Sequence, residues 1–106
     1  MLSDKIVEVV MNNNETLVNN ELAYRYEVHI DGYLAKIDYQ KNGGQIFLNH
    51  TEVPIELEGK GIGSKLVTLV LNDIDQQGLK LIPFCPFVKK YIQKHPEWKR
   101  ILVRQS

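Results

Sequence analysis

The sequence predicts an α+β fold, a mixed and mainly antiparallel sheet followed by a helix–strand–helix C-terminal half. Three observations carry that expectation. Residues 22–53 read as extended segments broken by Asp31-Gly32 and Asn42-Gly43-Gly44, turn clusters of the kind that join antiparallel neighbours. Beyond Pro54 the apolar residues Ile62, Leu66, Leu69, Val70 and Ile74 recur at steps of three and four, the period of a helix. The 106 residues show no repeat, low-complexity segment or linker, so residues 1–106 are expected to form one domain around one core.

Taken in order, residues 5–11 form a β-branched run through Ile6, Val7, Val9 and Val10, ending at Asn12-Asn13-Asn14 and expected to be a strand before a turn. In residues 22–30, Tyr24, Tyr26, Val28 and Ile30 alternate with Arg25, Glu27 and His29, the pattern of a half-buried strand. Residues 33–40 return as its hairpin partner, and residues 45–53 make a third long strand. The helix over residues 62–77 spans about 24 Å, and Gly78 is placed to end it. Residues 80–84 form a short apolar strand. Pro86 opens a second helix at its first turn that runs to about His95, where Pro96 stops it. His95 is expected at its C-terminal cap. Residues 101–103 are expected to add a last short strand, with Trp98 and Ile101 sealing the core beneath the last helix.

Composition excludes several function classes. The chain is 43% hydrophobic and 25% charged with a formal net charge of zero, which argues against a dedicated nucleic-acid binder. No run approaches the ~20 apolar residues of a membrane helix, and Met1-Leu2-Ser3-Asp4-Lys5 does not read as a signal peptide. One cysteine permits no intramolecular disulfide and no zinc site, and points to a cytoplasmic location. No metal-ligand spacing occurs. From Pro86 onward, Lys89, Lys90, Lys94, Lys99, Arg100 and Arg104 face Glu97 alone. This basic segment could attract an anionic ligand or simply form a solvated helix face.

The most informative stretch is Glu58-Gly59-Lys60-Gly61-Ile62-Gly63-Ser64-Lys65, where a strand hands over to a helix. Glycine lets backbone approach a ligand closely, and the free N–H groups of a first helical turn bind anions. Lys60 and Lys65 add positive charge. The spacing is not that of a P-loop, Gly-x-x-x-x-Gly-Lys-Ser/Thr. Nor does it match the Gly-x-Gly-x-x-Gly dinucleotide fingerprint, and Lys80 stands near where that motif needs an acid. On spacing alone, a tight strand-to-helix turn remains the alternative.

The loop resembles the acetyl-coenzyme A loop of the GNAT N-acetyltransferases, Gln/Arg-x-x-Gly-x-Gly/Ala. Gly61 and Gly63 match its small positions, and Ile62, Leu66 and Val67 match the apolar helix that follows. With His50-Thr51-Glu52-Val53-Pro54 before it, and Cys85 and Tyr91-Ile92-x-Lys94-His95-Pro96-Glu97-Trp98 after it, the chain is similar to the compact single-domain branch of that superfamily over residues 24–98. Glu58 departs from the motif at its Gln/Arg position and places a carboxylate near the expected pyrophosphate.

The resemblance implies a minimal GNAT acyl-CoA N-acyltransferase fold and an acetyl-CoA-dependent transfer to an amine acceptor; a monomer or weak dimer is expected, and composition and spacing predict no metal, nucleic-acid or membrane partner. It implies coenzyme contacts at Val53, Glu58, Gly59, Lys60, Gly61, Ile62, Gly63 and Ser64, with a backbone N–H near Val53 facing the thioester. His50 and Glu52, two apart on one strand face, are alternative general bases. Cys85 is read as an acyl nucleophile, a coenzyme contact, or a small buried hydrophobe. Tyr91 is the candidate acid for the leaving thiolate, or a packed helix tyrosine with its hydroxyl satisfied. An acyl-CoA-binding module with little or no catalysis is the alternative function, and a small interaction domain a third.

Overall fold

Asp31 and Gly32 both adopt positive φ, 53° and 81°, so the Asp-Gly pair makes the tight turn that its chemistry favours. Around it, β3 (Arg25–Ile30) pairs antiparallel with β4 (Tyr33–Asn42), Tyr26 opposite Ile37 and Val28 opposite Ala35. The computed structural model describes residues 4–10 and 16–103. The first run forms β1 (Asp4–Val10). Met11, the Asn12-Asn13-Asn14 turn and Arg104 lie outside the described residues.

The sheet has six strands in chain order: β1, β2 (Thr16–Asn20), β3, β4, β5 (Gln45–Glu52) and β6 (Lys80–Pro83). Its pairs are antiparallel except β5 with β6, which run parallel. A parallel pair needs a crossover. That crossover consists of a short 3-10 turn at Ile55–Leu57, the glycine loop and α1 (Ile62–Gln76). Gly78, at φ 72°, lies two residues past the helix end.

Register sorts the sheet into two faces. Leu17, Tyr26, Val28, Ala35, Ile37, Ile46 and Leu48 are fully buried, with Leu66, Val67, Val70, Leu71 and Ile74 of α1 in the same core. The Tyr26 hydroxyl donates to Asp73 of α1, which fixes α1 on that face. The other face carries Arg25, Glu27, Lys36, Asp38, His50 and Glu52, aligned as Glu27–Lys36–Glu52 and Arg25–Asp38–His50. α2 (Pro86–Lys94) follows β6, buries Val88 and Ile92, and ends at His95.

Several elements differ from the sequence expectation. Thr16–Asn20 is a strand that hydropathy does not reveal; its inward Asn19 is buried because the Tyr39 hydroxyl donates to its side-chain carbonyl at 2.6 Å. Tyr24 is not on the inner face of β3: it precedes the strand at φ 56° and is 61% exposed. Phe84 lies beyond β6 and is exposed. Residues 101–103 form no strand. Pro96–Ile101 is a 3-10 helix, and Leu102 makes a single parallel bridge to Leu81. Ile101 is buried and Trp98 packs partly buried against the core.

Glu27 shows how the polar face is held. Its carboxylate is nearly buried, which raises its pKa, but hydrogen bonds from Arg25, Asn20 and His29 outweigh that and hold it below the ordinary 4.5. A carboxylate with a depressed folded pKa adds stability that is complete above its unfolded value and disappears as pH falls through the folded one. Glu27→Gln is therefore expected to lose about 1–2 kcal/mol in urea unfolding at pH 7. As pH falls below the ordinary carboxylate value the gap to the wild type should narrow. A gap unchanged at pH 3 would contradict this account.

Candidate functional site

The site begins where β5 and β6 part. Their parallel ladder ends at Leu48–Pro83, while β5 runs on to Glu52. The N–H groups of Phe84 and Cys85 both donate to the Leu48 carbonyl, at 3.0 and 2.9 Å, so the chain turns away from β5 at that point. A cleft of about 410 Å³ lies beside the opening, lined by Thr51, Val53, Leu57, Glu58, Gly59, Gly61, Ile62, Gly63, Ser64 and Phe87.

The floor at one end is the start of α1. Gly61 is the N-cap, in the left-handed region at φ 70°, and no side chain caps the first turn. Lys65 N–H makes an early intrahelical bond, to the Gly61 carbonyl. The N–H groups just before it are the donors that a helix start leaves over, and they point an electropositive end at the cleft. A Cβ on Gly59 or Gly61 would meet open space, but one on Gly63 would come within 2.7 Å of the Phe87 ring. The third glycine thus lets the first turn of α2 close over the first turn of α1.

A bulge decides which side chains of β5 reach this cleft. Asp38 pairs with His50 and Tyr39 with Leu48, which leaves Asn49 as an extra residue. An extra residue shifts the two-residue alternation. Ile46 and Leu48 point to the core, and after the bulge Thr51, opposite Ile37, shares their face. His50 and Glu52 do share a face, with Nε2 and Oε1 4.0 Å apart, but it is the open polar face, where Lys36 also reaches Glu52 at 3.7 Å. Neither lines the cleft.

Seven of the eight expected coenzyme contacts, Val53, Glu58, Gly59, Gly61, Ile62, Gly63 and Ser64, line the cleft. Lys60 stands outside the lining with its ammonium 4.0 Å from Asp31. Cys85 is buried at the N-cap of α2, its Sγ 3.1 Å from Thr51 Oγ1. The Tyr91 hydroxyl contacts Thr68 Oγ1, which itself donates to the Ser64 carbonyl at 2.8 Å, so Tyr91 is the donor of that contact. The Tyr91 ring packs on His95 at 4.4 Å, and Tyr91 does not line the cleft. Sequence reasoning missed Thr51, Leu57 and Phe87. Phe87 carried a signal: an aromatic one residue past the Pro86 helix start, facing the glycine loop.

A mainly antiparallel sheet, one parallel crossover led by glycines and a cleft beside the parting strands define an acyltransferase-type α+β fold. Residues 25–101 match the sequence profile of the GCN5-related N-acetyl-transferase family. The match covers most of the chain, which belongs to that family. Protein NATD1 of Gallus gallus is 35% identical over 49 residues, 46% of this chain and 44% of that protein. Protein NATD1 of Homo sapiens is 35% identical over 49 residues, 46% of this chain and 43% of its own length. The matched stretch thus spans less than half the length of these relatives. In three dimensions the chain resembles the solution structure of a GCN5-like protein from Staphylococcus aureus, with a TM-score of 0.62 and 24% identity, over 100% of this chain and 94% of that one; the likeness is one of fold. Among the described residues, no helix is long and apolar enough to cross a membrane, and no group of three or more His, Cys, Asp or Glu is placed to hold a metal ion.

Proposed function

We propose that this chain is an acetyl-CoA-dependent N-acetyltransferase acting on an amine. The observation that carries the reading is the uncapped start of α1 beneath Gly59, Gly61 and Gly63, opening on a cleft that ends where β5 and β6 part. Donors of a first helical turn suit a pyrophosphate, and a cleft beside diverging strands suits an extended arm. Gly59, Gly61, Gly63 and Ser64 would hold the diphosphate. Val53 and Ile62 would flank the arm, and Lys60 and Lys65 would add positive charge. When bound, the coenzyme supplies an activated acyl thioester.

The remaining roles fall to this chain's own side chains. An amine must lose a proton to attack, and His50 and Glu52, adjacent on the open face of β5, are the candidate bases. Tyr91 would serve as acid only by releasing its bond to Thr68, and Cys85 is the alternative group at the reacting end. A single cysteine suits work in a reducing cytoplasm. Glu58, the carboxylate in the cleft lining, favours a second reading: an acyl-CoA-binding module that turns over slowly or not at all.

The test is an amide NMR titration with acetyl-CoA and then desulfo-CoA. Shifts are expected at Val53, residues 59–64 and Cys85. A spectrum unchanged at millimolar coenzyme would overturn the proposal. Turnover with a panel of amines separates the enzyme from the binding module.

A further inference from the structure

Of the polar side chains lining the cleft, Glu58 and Ser64 belong to the glycine-loop end and Thr51 to β5, at the end where the strands part. Thr51 is there because of the bulge at Asn49, which turns His50 and Glu52 to the opposite face. Its Oγ1 lies 3.1 Å from Cys85 Sγ, and the sulfur is buried behind it. A hydroxyl has one hydrogen and two lone pairs. When the cysteine S–H donates to Oγ1, the threonine hydrogen is left for the cleft.

We infer that Thr51 is a hydrogen-bond donor to the coenzyme sulfur, and that Cys85 acts through it as a positioning residue rather than as a nucleophile. This rests on the coenzyme reading of the cleft and names the residue at its reacting end. In transfer, the amine nitrogen bonds to the acyl carbon as the carbon–sulfur bond breaks. The electron pair stays on sulfur, the amine proton passes to a base, and the thiolate later takes a proton from solvent. A donor fixed beside that sulfur stabilises charge where it develops. With Cys85 as the donor to its oxygen, Thr51 has its hydrogen for this, whereas the Tyr91 hydrogen is held by Thr68.

The experiment is a titration of the bound CoA thiol, followed by its ultraviolet thiolate absorbance. The desulfo-CoA complex is subtracted so that the Cys85 thiol cancels. Thr51→Val keeps the shape and removes the hydroxyl; Thr51→Ser restores it. The bound thiol should titrate about one pH unit higher in Thr51→Val than in the wild type, because a hydrogen bond to the thiolate is lost, and Thr51→Ser should return it. The same variant should lower kcat with little change in the KM for acetyl-CoA. Equal thiol titrations in the wild type and Thr51→Val, with both binding CoA, would overturn this inference alone. A wild type that binds neither coenzyme would remove the coenzyme reading and the inference with it.

Discussion

Gly61→Asp is expected to weaken acetyl-CoA binding by about 100-fold while the chain still folds. The backbone at Gly61 sits at φ 70° and ψ 18°, a region that L side chains rarely enter but that aspartate and asparagine tolerate best. A Cβ there meets no atom within 4 Å, so the stability loss should be about 1 kcal/mol. The carboxylate, however, would stand at the mouth of the uncapped helix start. It would compete for the free N–H groups and repel a diphosphate by several kcal/mol at short range in a partly screened site, of which about 3 kcal/mol, or ~100-fold, should survive exposure to solvent. Gly61→Asn has the same shape without the charge and should bind far better than Gly61→Asp. Affinities of the three proteins, measured alongside their melting temperatures, decide the matter. A Gly61→Asp protein that binds acetyl-CoA as the wild type does would mean that this loop is only a turn.

That loop was also the part of the site most legible in the sequence, because its signal is local. Three alternating glycines between a strand and a 3.6-period helix have few structural meanings, and Gly59 and Gly61 do take positive φ. The Asp31-Gly32 hairpin and the extent of α1 were legible for the same reason. The cleft wall was not. Whether His50 or Thr51 faces inward depends on one extra residue, Asn49, and a bulge leaves no mark in composition. Counting by two does put His50 and Glu52 on one face, but it cannot say which one. Thr16–Asn20 escaped notice because Asn19 points inward to serve Tyr39, a partner twenty residues away. Residues 101–103 look like a strand because Ile, Leu and Val favour one. In the fold, the Pro96 turn brings them to β6 with only Leu102 in register, and the apolar character serves burial instead.

The same limit hides the buried polar link beneath the sheet, whose loss should have the largest effect on stability. Asp73 faces the core from an otherwise apolar stripe of α1. It accepts from the Tyr26 hydroxyl and from Gln77 Nε2, both at 2.6 Å, and Tyr26 is fully buried. Asp73→Ala removes the acceptor and strands a buried hydroxyl, so a loss of about 3 kcal/mol is expected in urea unfolding. Tyr26→Phe should lose less, because Asp73 keeps Gln77. The double variant should fall short of the sum by about 1–2 kcal/mol, the coupling of a directly bonded pair; strict additivity would refute the link. Alkali gives a second readout. Burial first, and then the Asp73 carboxylate, push the Tyr26 hydroxyl far above its ordinary value of 10. Burial and the nearby Glu21 and Asp73 charges push Tyr39 up to about 12. For a group with a raised folded pKa, the stability is complete below the unfolded value and lost as pH climbs toward the folded one. The wild type should therefore lose stability above pH 10, by about 1.4 kcal/mol per pH unit for each tyrosine that stays protonated only when folded. Tyr26→Phe should remove about half of that slope between pH 10 and 12, because Tyr39, likewise held protonated only in the folded state, still contributes there. A slope that is the same in both proteins would mean that the Tyr26 proton is not held by the fold.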